Sequence, residues 1–261
     1  MNDSRAPTTS GWFRRHFNAD YLVLSSGRTR EQADREVEFV VRQLEIAPDE
    51  TVLDLCCGFG RHLEAFRRRG IPAVGVDLSG PLLSMARQDL QFDVECDLVC
   101  ADMRQLPFAT GGGGTLGGFA VLVNFFTSFG YFESEEDNLG TAREMARVLR
   151  PGGRFSIDLM NRESAVASLV PRSERRDGPF EIHEERAYDG GRIEKKIRLK
   201  DTTTGEVREY FESVRVYREE EIRGLLDGVG LEVDHVFGDF GGAPRDVESP
   251  RMIVTGRRVA T

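Results

Sequence analysis

The chain has little of what several functional classes require. Its 261 residues hold four cysteines, Cys56, Cys57, Cys96 and Cys100, and no pair is spaced C-x-x-C. No zinc site has a spacing to rest on, so no metal is expected. Reduced thiols fit a cytoplasmic protein. No apolar run approaches the ~20 residues of a membrane span, so no membrane partner is expected. The opening residues, MNDSRAPTTS, lack an apolar signal core. Net positive charge is lacking too: 35 Lys and Arg against 44 Asp and Glu leave −9. Such a chain repels phosphate backbones, which argues against nucleic acid as a partner. What remains, 39% hydrophobic and 30% charged residues, fits a soluble globular protein with one substantial domain and room for an insertion.

One stretch organises the chain: TVLDLCCGFGRHLEAFRRRGIPAVGVD, from Thr51 to Asp77. A short apolar strand (Val52, Leu53) ends on Asp54. The turn Cys56-Cys57-Gly58-Phe59-Gly60 opens a helix, Arg61 to Arg69, closed by Gly70. A second strand, Ala73 to Val76, ends on Asp77. This is a βαβ unit. Gly58 and Gly60 allow positive φ and let a ligand lie against the main chain. A carboxylate at the end of the second strand can take both hydroxyls of a ribose.

A dinucleotide would need G-x-G-x-x-G here. The third glycine is missing, and Asp54 would repel a pyrophosphate. An acid at that place suits a cationic ligand, such as the ammonium and sulfonium of S-adenosylmethionine. The stretch resembles the first motif of the class I S-adenosylmethionine-dependent methyltransferases, acid-x-Gly-x-Gly-x-Gly. Asp54, Cys56, Gly58 and Gly60 stand in its positions, with Cys56 in place of the first glycine. VGVDLSGPLLSMAR resembles the second motif. By that resemblance Asp77 takes the ribose hydroxyls and Leu78 packs on the adenine. Asp102 would bond the adenine amino group and Met103 would cover the ring.

The resemblance continues through Asn124-Phe125-Phe126-Thr127-Ser128-Phe129-Gly130-Tyr131-Phe132, after a fourth strand Phe119–Val123, and through RVLRPGGRFSIDLMN. It is to small-molecule members of the glycine N-methyltransferase type. In these a segment before the first helix folds over the cofactor, presenting a tyrosine near the methyl group and an arginine to the methionine carboxylate. Tyr21 and either Arg28 or Arg30 are the candidates. Trp12, Phe13 and Phe17 read as core. The backbone carbonyl of Asn124 could face the methyl group. Phe125 and Tyr131 read as pocket, and Phe126, Phe129 and Phe132 as core. Asp158, Met160 and Asn161 end the fifth strand at the pocket. The candidate catalytic residues are thus Tyr21, Asn124 and Asn161; the substrate side is Phe125, Tyr131, Asp158, Asn161 and His183. A hydroxyl acceptor would need a base, for which Tyr21, His183 and Asp158 are candidates.

The expected fold is a Rossmann-like doubly wound seven-stranded sheet of order 3-2-1-4-5-7-6, its last hairpin antiparallel. A small antiparallel sheet, read as three strands, is inserted after strand 5, where the family commonly carries a cap over the substrate. The expected division is an N-terminal lid segment (1–29), a cofactor domain (30–161 and 218–261) and a cap (162–217). Residues 1–10 read as disordered, and Gly111 to Gly114 with Gly117-Gly118 as a surface loop.

The expected function is methyl transfer from S-adenosylmethionine to a small molecule, on nitrogen or carbon rather than oxygen, in secondary metabolism, by a monomer or homodimer. Three alternatives stay open. The sulfonium can give up its aminocarboxypropyl chain or be attacked intramolecularly, releasing methylthioadenosine. The others are nicotinamide oxidoreduction and cofactor binding without catalysis. Fold alone does not choose among them.

Overall fold

A computed structural model describes residues 11–90, 98–109 and 118–259. The expectations for residues 1–10, Cys96, Gly111 to Gly114 and Gly117 lie outside the described residues. In chain order the elements are two short helices, α1 (Phe13–His16) and α2 (Tyr21–Leu24), then α3 (Arg30–Gln43), β1 (Val52–Leu55), α4 (Arg61–Arg68), β2 (Ala73–Asp77), α5 (Gly80–Leu90), β3 (Leu98–Cys100), β4 (Phe119–Asn124), α6 (Glu135–Val148) and β5 (Leu149–Met160). They continue as α7 (Arg162–Ala167), β6 (Arg172–Asp177), β7 (Phe180–Asp189), β8 (Arg192–Asp201), β9 (Val207–Arg215), α8 (Glu219–Asp227), β10 (Leu231–Phe237) and β11 (Arg251–Arg258).

The large sheet runs β3-β2-β1-β4-β5-β11-β10, the expected order. Pairs from β3 to β5 are parallel; β11 is antiparallel to both neighbours. β1 and β4 lie at its centre and every residue of both is buried, as a sheet covered on both faces requires. The helices start where their sequences put caps. Thr29 and Gln32 form a reciprocal capping box on α3, and Ser134 accepts from Glu136 and Asp137 at the start of α6. Gly75 is dictated by packing: a Cβ there would come within 2.5 Å of Leu63 on α4.

The inserted sheet is antiparallel, of order β6-β7-β8-β9. It has four strands where the sequence predicts three. β6 reads RSERRD and is a largely exposed edge, so it carries no apolar alternation to reveal it. β7 and β8 join through Gly190 and Gly191, both at positive φ (55° and 82°), as a tight hairpin demands. Arg192 ties this sheet to the segment between β4 and α6 by donating to the carbonyls of Phe132 (2.9 Å) and Gly130 (3.2 Å). Asp20, just before α2, accepts from Arg208 of β9 at 2.6 and 2.7 Å.

Candidate functional site

The site is built on the turn after β1. Cys56 takes φ +64°, a left-handed conformation that favours glycine, and Gly58 and Gly60 take +56° and +81°. The turn is fastened to β2 by Cys57, whose amide donates to the Val76 carbonyl at 3.0 Å. It is fastened again by Asp77: one oxygen accepts from Gly58 N (2.8 Å), the other from Ser79 N (2.8 Å). Each oxygen keeps lone-pair capacity for another donor. Asp54 is buried, and its Oδ2 has no hydrogen-bond partner. Burial pushes its carboxyl up to about 8; Arg61 pulls the other way, and Asp77 adds to the rise.

Over this turn lies a cavity of about 840 Å³, its open mouth included. Its lining includes Cys56 to Phe59 from the turn, Asp77 and Leu78 from the end of β2, Asp102 and Met103 after β3, and Phe125, Phe126 and Tyr131 after β4. The N-terminal segment closes one side with Phe13, Phe17, Tyr21 and Arg28. Ser79 holds that segment down: its hydroxyl donates to Phe17 O at 2.6 Å while accepting from Leu82 N as the cap of α5. Phe17 stacks on Tyr131, ring centroids 5.5 Å apart. Arg28 donates to the Tyr21 hydroxyl and sits over the Phe126 ring, 3.1 Å from its centroid.

Several expected residues meet at the cavity: Tyr21, Cys56, Gly58, Asp77, Leu78, Asp102, Met103, Phe125 and Tyr131 all line it. Gly60 lies one step behind, capping α4. The Asp102 carboxylate is engaged by Arg104 at 2.7 and 3.0 Å, which holds it below the usual carboxylate range. Burial raises the Tyr21 phenol, so at neutral pH it is a donor rather than a base.

Others do not reach the lining. Arg30 is the first residue of α3 and turns outward to Glu64, at 3.2 Å, with 60% of its side chain exposed; Arg28 takes the place instead. Asn124 is buried behind the turn, donating to Leu55 O at 2.9 Å, with its Oδ1 unpartnered. Asn161 is fully buried and donates to the carbonyls of Asp246 and Ser249 (2.9 and 2.8 Å), fixing the loop between β10 and β11. His183 lies on the small sheet, 39% exposed, against Glu174 at 3.1 Å. Asp158 is spent on Arg251 and on Phe126 N (2.6 and 2.8 Å).

The sequence reading missed part of the lining. Phe13, Phe17, Phe126 and Phe132 line the cavity although they read as core; Trp12 and Phe129 are core. Arg61 and His62 also line it. His62 stacks on Phe125 (3.9 Å) and meets Glu36 at 2.6 Å. Burial lowers the imidazole to about 4, so neutral His62 donates to a charged Glu36. Their positions one and two residues past Gly60 are the only signal the sequence offered.

The residues present fit S-adenosylmethionine. Asp54 lies behind the lining, buried with an unpartnered oxygen, and a cation on the turn in front of it would favour its charged form. Asp77 has acceptor capacity at the end of β2, where a ribose diol would lie. Arg28 meets, among the described residues, a hydroxyl and two rings but no carboxylate, and could take one. Leu78 and Met103 line the cavity and offer apolar surface to a flat ring. Among the described residues there is no cluster of metal-ligating side chains. No helix among them is long and apolar enough to cross a membrane.

Residues 52–153 match a family described as a methyltransferase domain. The chain is 28% identical over 213 residues to the cypemycin N-terminal methyltransferase of a Streptomyces species, covering 80% of this chain and 83% of that protein. It is 26% identical over 226 residues to the dTDP-3-amino-3,4,6-trideoxy-alpha-D-glucopyranose N,N-dimethyltransferase of Streptomyces venezuelae, covering 84% and 90%. Among solved structures, it shares its fold with an S-adenosylmethionine-dependent methyltransferase of Clostridium acetobutylicum. The TM-score is 0.77 at 16% identity, covering 92% of this chain and 96% of the other.

Proposed function

We propose that this chain, an S-adenosylmethionine-dependent methyltransferase, methylates the nitrogen of a small amine that enters from beneath the four-stranded sheet. S-adenosylmethionine, when bound, supplies a methyl group on a positively charged sulfur. The chain's own residues hold and align. In this reading Asp77 takes the ribose, Asp54 faces positive charge, Arg28 takes the carboxylate, and Leu78 and Met103 sandwich the adenine. Asp102, held by Arg104, sits at the adenine edge. Residues 11–29 act as a lid and 162–217 as a cap, both excluding water. Alignment of this kind is worth ~7–11 kcal/mol, so a neutral amine needs no strong base.

The observation that carries the amine is Glu212. Against the small sheet lies a second chamber lined by Met160, Ser173, Arg186, Ile193, Lys195 and Glu212 among others. Arg186, Lys195 and Glu212 stand directly opposite one another across β7, β8 and β9. Glu212 is 22% exposed and pairs with Lys195 at 2.5 Å. Burial would raise its carboxyl, but Lys195, His16 and Arg28 outweigh it and bring it down to about 2. Burial raises the phenols of Tyr21 and Tyr131 in the cofactor cavity, and the charge of Glu212 adds to both. A lasting carboxylate there is suited to draw in a protonated amine, which gives its proton to water before its freed lone pair attacks the methyl group. The two Streptomyces relatives, by their names, act on an N-terminus and on an amino sugar's nitrogen, which agrees with this reading.

The test pairs amines with their hydroxyl counterparts, including amino-sugar nucleotides, and follows S-adenosylhomocysteine. Turnover with amines alone is expected. Turnover with the alcohols in place of the amines would refute nitrogen as the acceptor.

A further inference from the structure

Phe126 and Thr127 follow β4 and are consecutive non-glycine residues in the left-handed region, at φ +63° and +56°. L side chains avoid that conformation, and a pair of them persists only where surrounding contacts impose it. The contacts come from β5 and β11. Asp158 accepts from Phe126 N at 2.8 Å, and its own carbonyl accepts from Thr127 N at 2.8 Å. Arg251 donates to Asp158 at 2.6 Å and to the Thr127 hydroxyl at 2.8 Å. Asp158 and Arg251 thus grip both residues of the turn.

The turn presents one ring to three cations. The guanidinium carbons of Arg28, Arg61 and Arg251 lie 3.1, 5.6 and 5.8 Å from the Phe126 centroid. Two carboxylates answer them: Glu36 meets Arg61 at 3.4 Å, and Asp158 meets Arg251. Among the described residues Arg28 has the Tyr21 hydroxyl and the rings of Tyr21 and Phe126, and no ion pair. Among the described residues no third carboxylate lies at ion-pair distance; Glu212 feels the charge of Arg28 only from farther off.

We infer that Phe126 is the seat of Arg28, and that Asp158 and Arg251 are positioning residues: by holding the left-handed turn they aim Arg28 at the carboxylate of the bound cofactor. The inference rests on reading the cavity as an S-adenosylmethionine site. Phe126→Leu keeps the bulk of the side chain and removes its π face. Arg251→Lys keeps the charge and removes the two-pronged grip.

The probes are S-adenosylhomocysteine, which has the carboxylate, and methylthioadenosine, which lacks the whole amino-acid end, with Kd read by calorimetry. Each variant is expected to bind S-adenosylhomocysteine about tenfold more weakly, the scale of a desolvated cation–π contact. Methylthioadenosine binding should hold within about twofold. Arg28→Met should show the same selective loss, and Phe126→Leu should add nothing in its background. Equal losses on both ligands, or additive losses in the double variant, overturn the inference, since a general packing defect would give either. Should Arg251→Lys fail to fold, Phe126→Leu carries the test with the Asp158–Arg251 pair intact. A wild-type protein that binds neither ligand overturns the cofactor reading itself, a result distinct from loss of selectivity.

Discussion

Arg251 reaches from the first residue of β11 to Asp158 of the neighbouring strand β5, with 2.6 Å between guanidinium and carboxylate. Asp158 is 2% exposed. Removing one partner leaves a buried charge without its counterion. Arg251→Met is therefore expected to cost ~3–5 kcal/mol of stability. Chemical denaturation measures it; a loss under ~1 kcal/mol would mean that the pair behaves like an exposed one.

Asp77 holds the turn through Gly58 and Ser79 and offers its remaining capacity to the ribose. Asp77→Ala should weaken S-adenosylmethionine binding by a few kcal/mol, since charge-assisted hydrogen bonds are worth ~1.5–3 kcal/mol each. Calorimetry reads this directly, and an unchanged Kd would remove Asp77 from the site.

Asp54 gives a pH signature. Its carboxyl is raised from 3.8 to about 8 in the folded protein. The folded state therefore holds this proton more tightly than the unfolded state. Asp54's contribution to stability is complete below pH ~4 and is lost as pH climbs through ~8. Asp54→Asn should lose that slope. A cation placed against Asp54 favours its charged form, so S-adenosylmethionine binding at pH 7 should release protons. Titrations in two buffers of different ionisation heat would show it. No release from wild type, or equal release from Asp54→Asn, would contradict the assignment.

Glu212 faces the acceptor in the proposed arrangement and is absent from the lining of the cofactor cavity. Glu212→Gln should raise the KM for an amine acceptor by about tenfold, the scale of one lost charge-assisted bond. The Kd for S-adenosylmethionine should stay within about twofold. A matching loss in both constants would make Glu212 a structural residue.

What the sequence made legible was local. The βαβ unit, its glycine turn and Asp77 lie within 27 residues, so spacing alone carries them. The order of the large sheet follows from alternating strands and helices and from the terminal hairpin. What stayed hidden depends on long-range contact. Arg28 and Arg30 are two residues apart, and only the start of α3 decides which faces inward. Phe126 and Phe129 look alike in sequence, yet a left-handed turn imposed by Asp158, 32 residues away, sends Phe126 to the cavity. Asp158, Asn161 and His183 carry polar groups at the expected places, but in the fold each meets a partner the sequence could not supply: Arg251, the loop 246–249 and Glu174. β6 has no hydrophobic period because it is a solvated edge.

The most direct test incubates the protein with S-adenosylmethionine bearing a carbon-13 methyl group and with amino-sugar nucleotides, then resolves the products by mass spectrometry and NMR. The account predicts S-adenosylhomocysteine in step with an acceptor that carries the labelled methyl on nitrogen. Methylthioadenosine without a methylated product, or the label on oxygen, would contradict it.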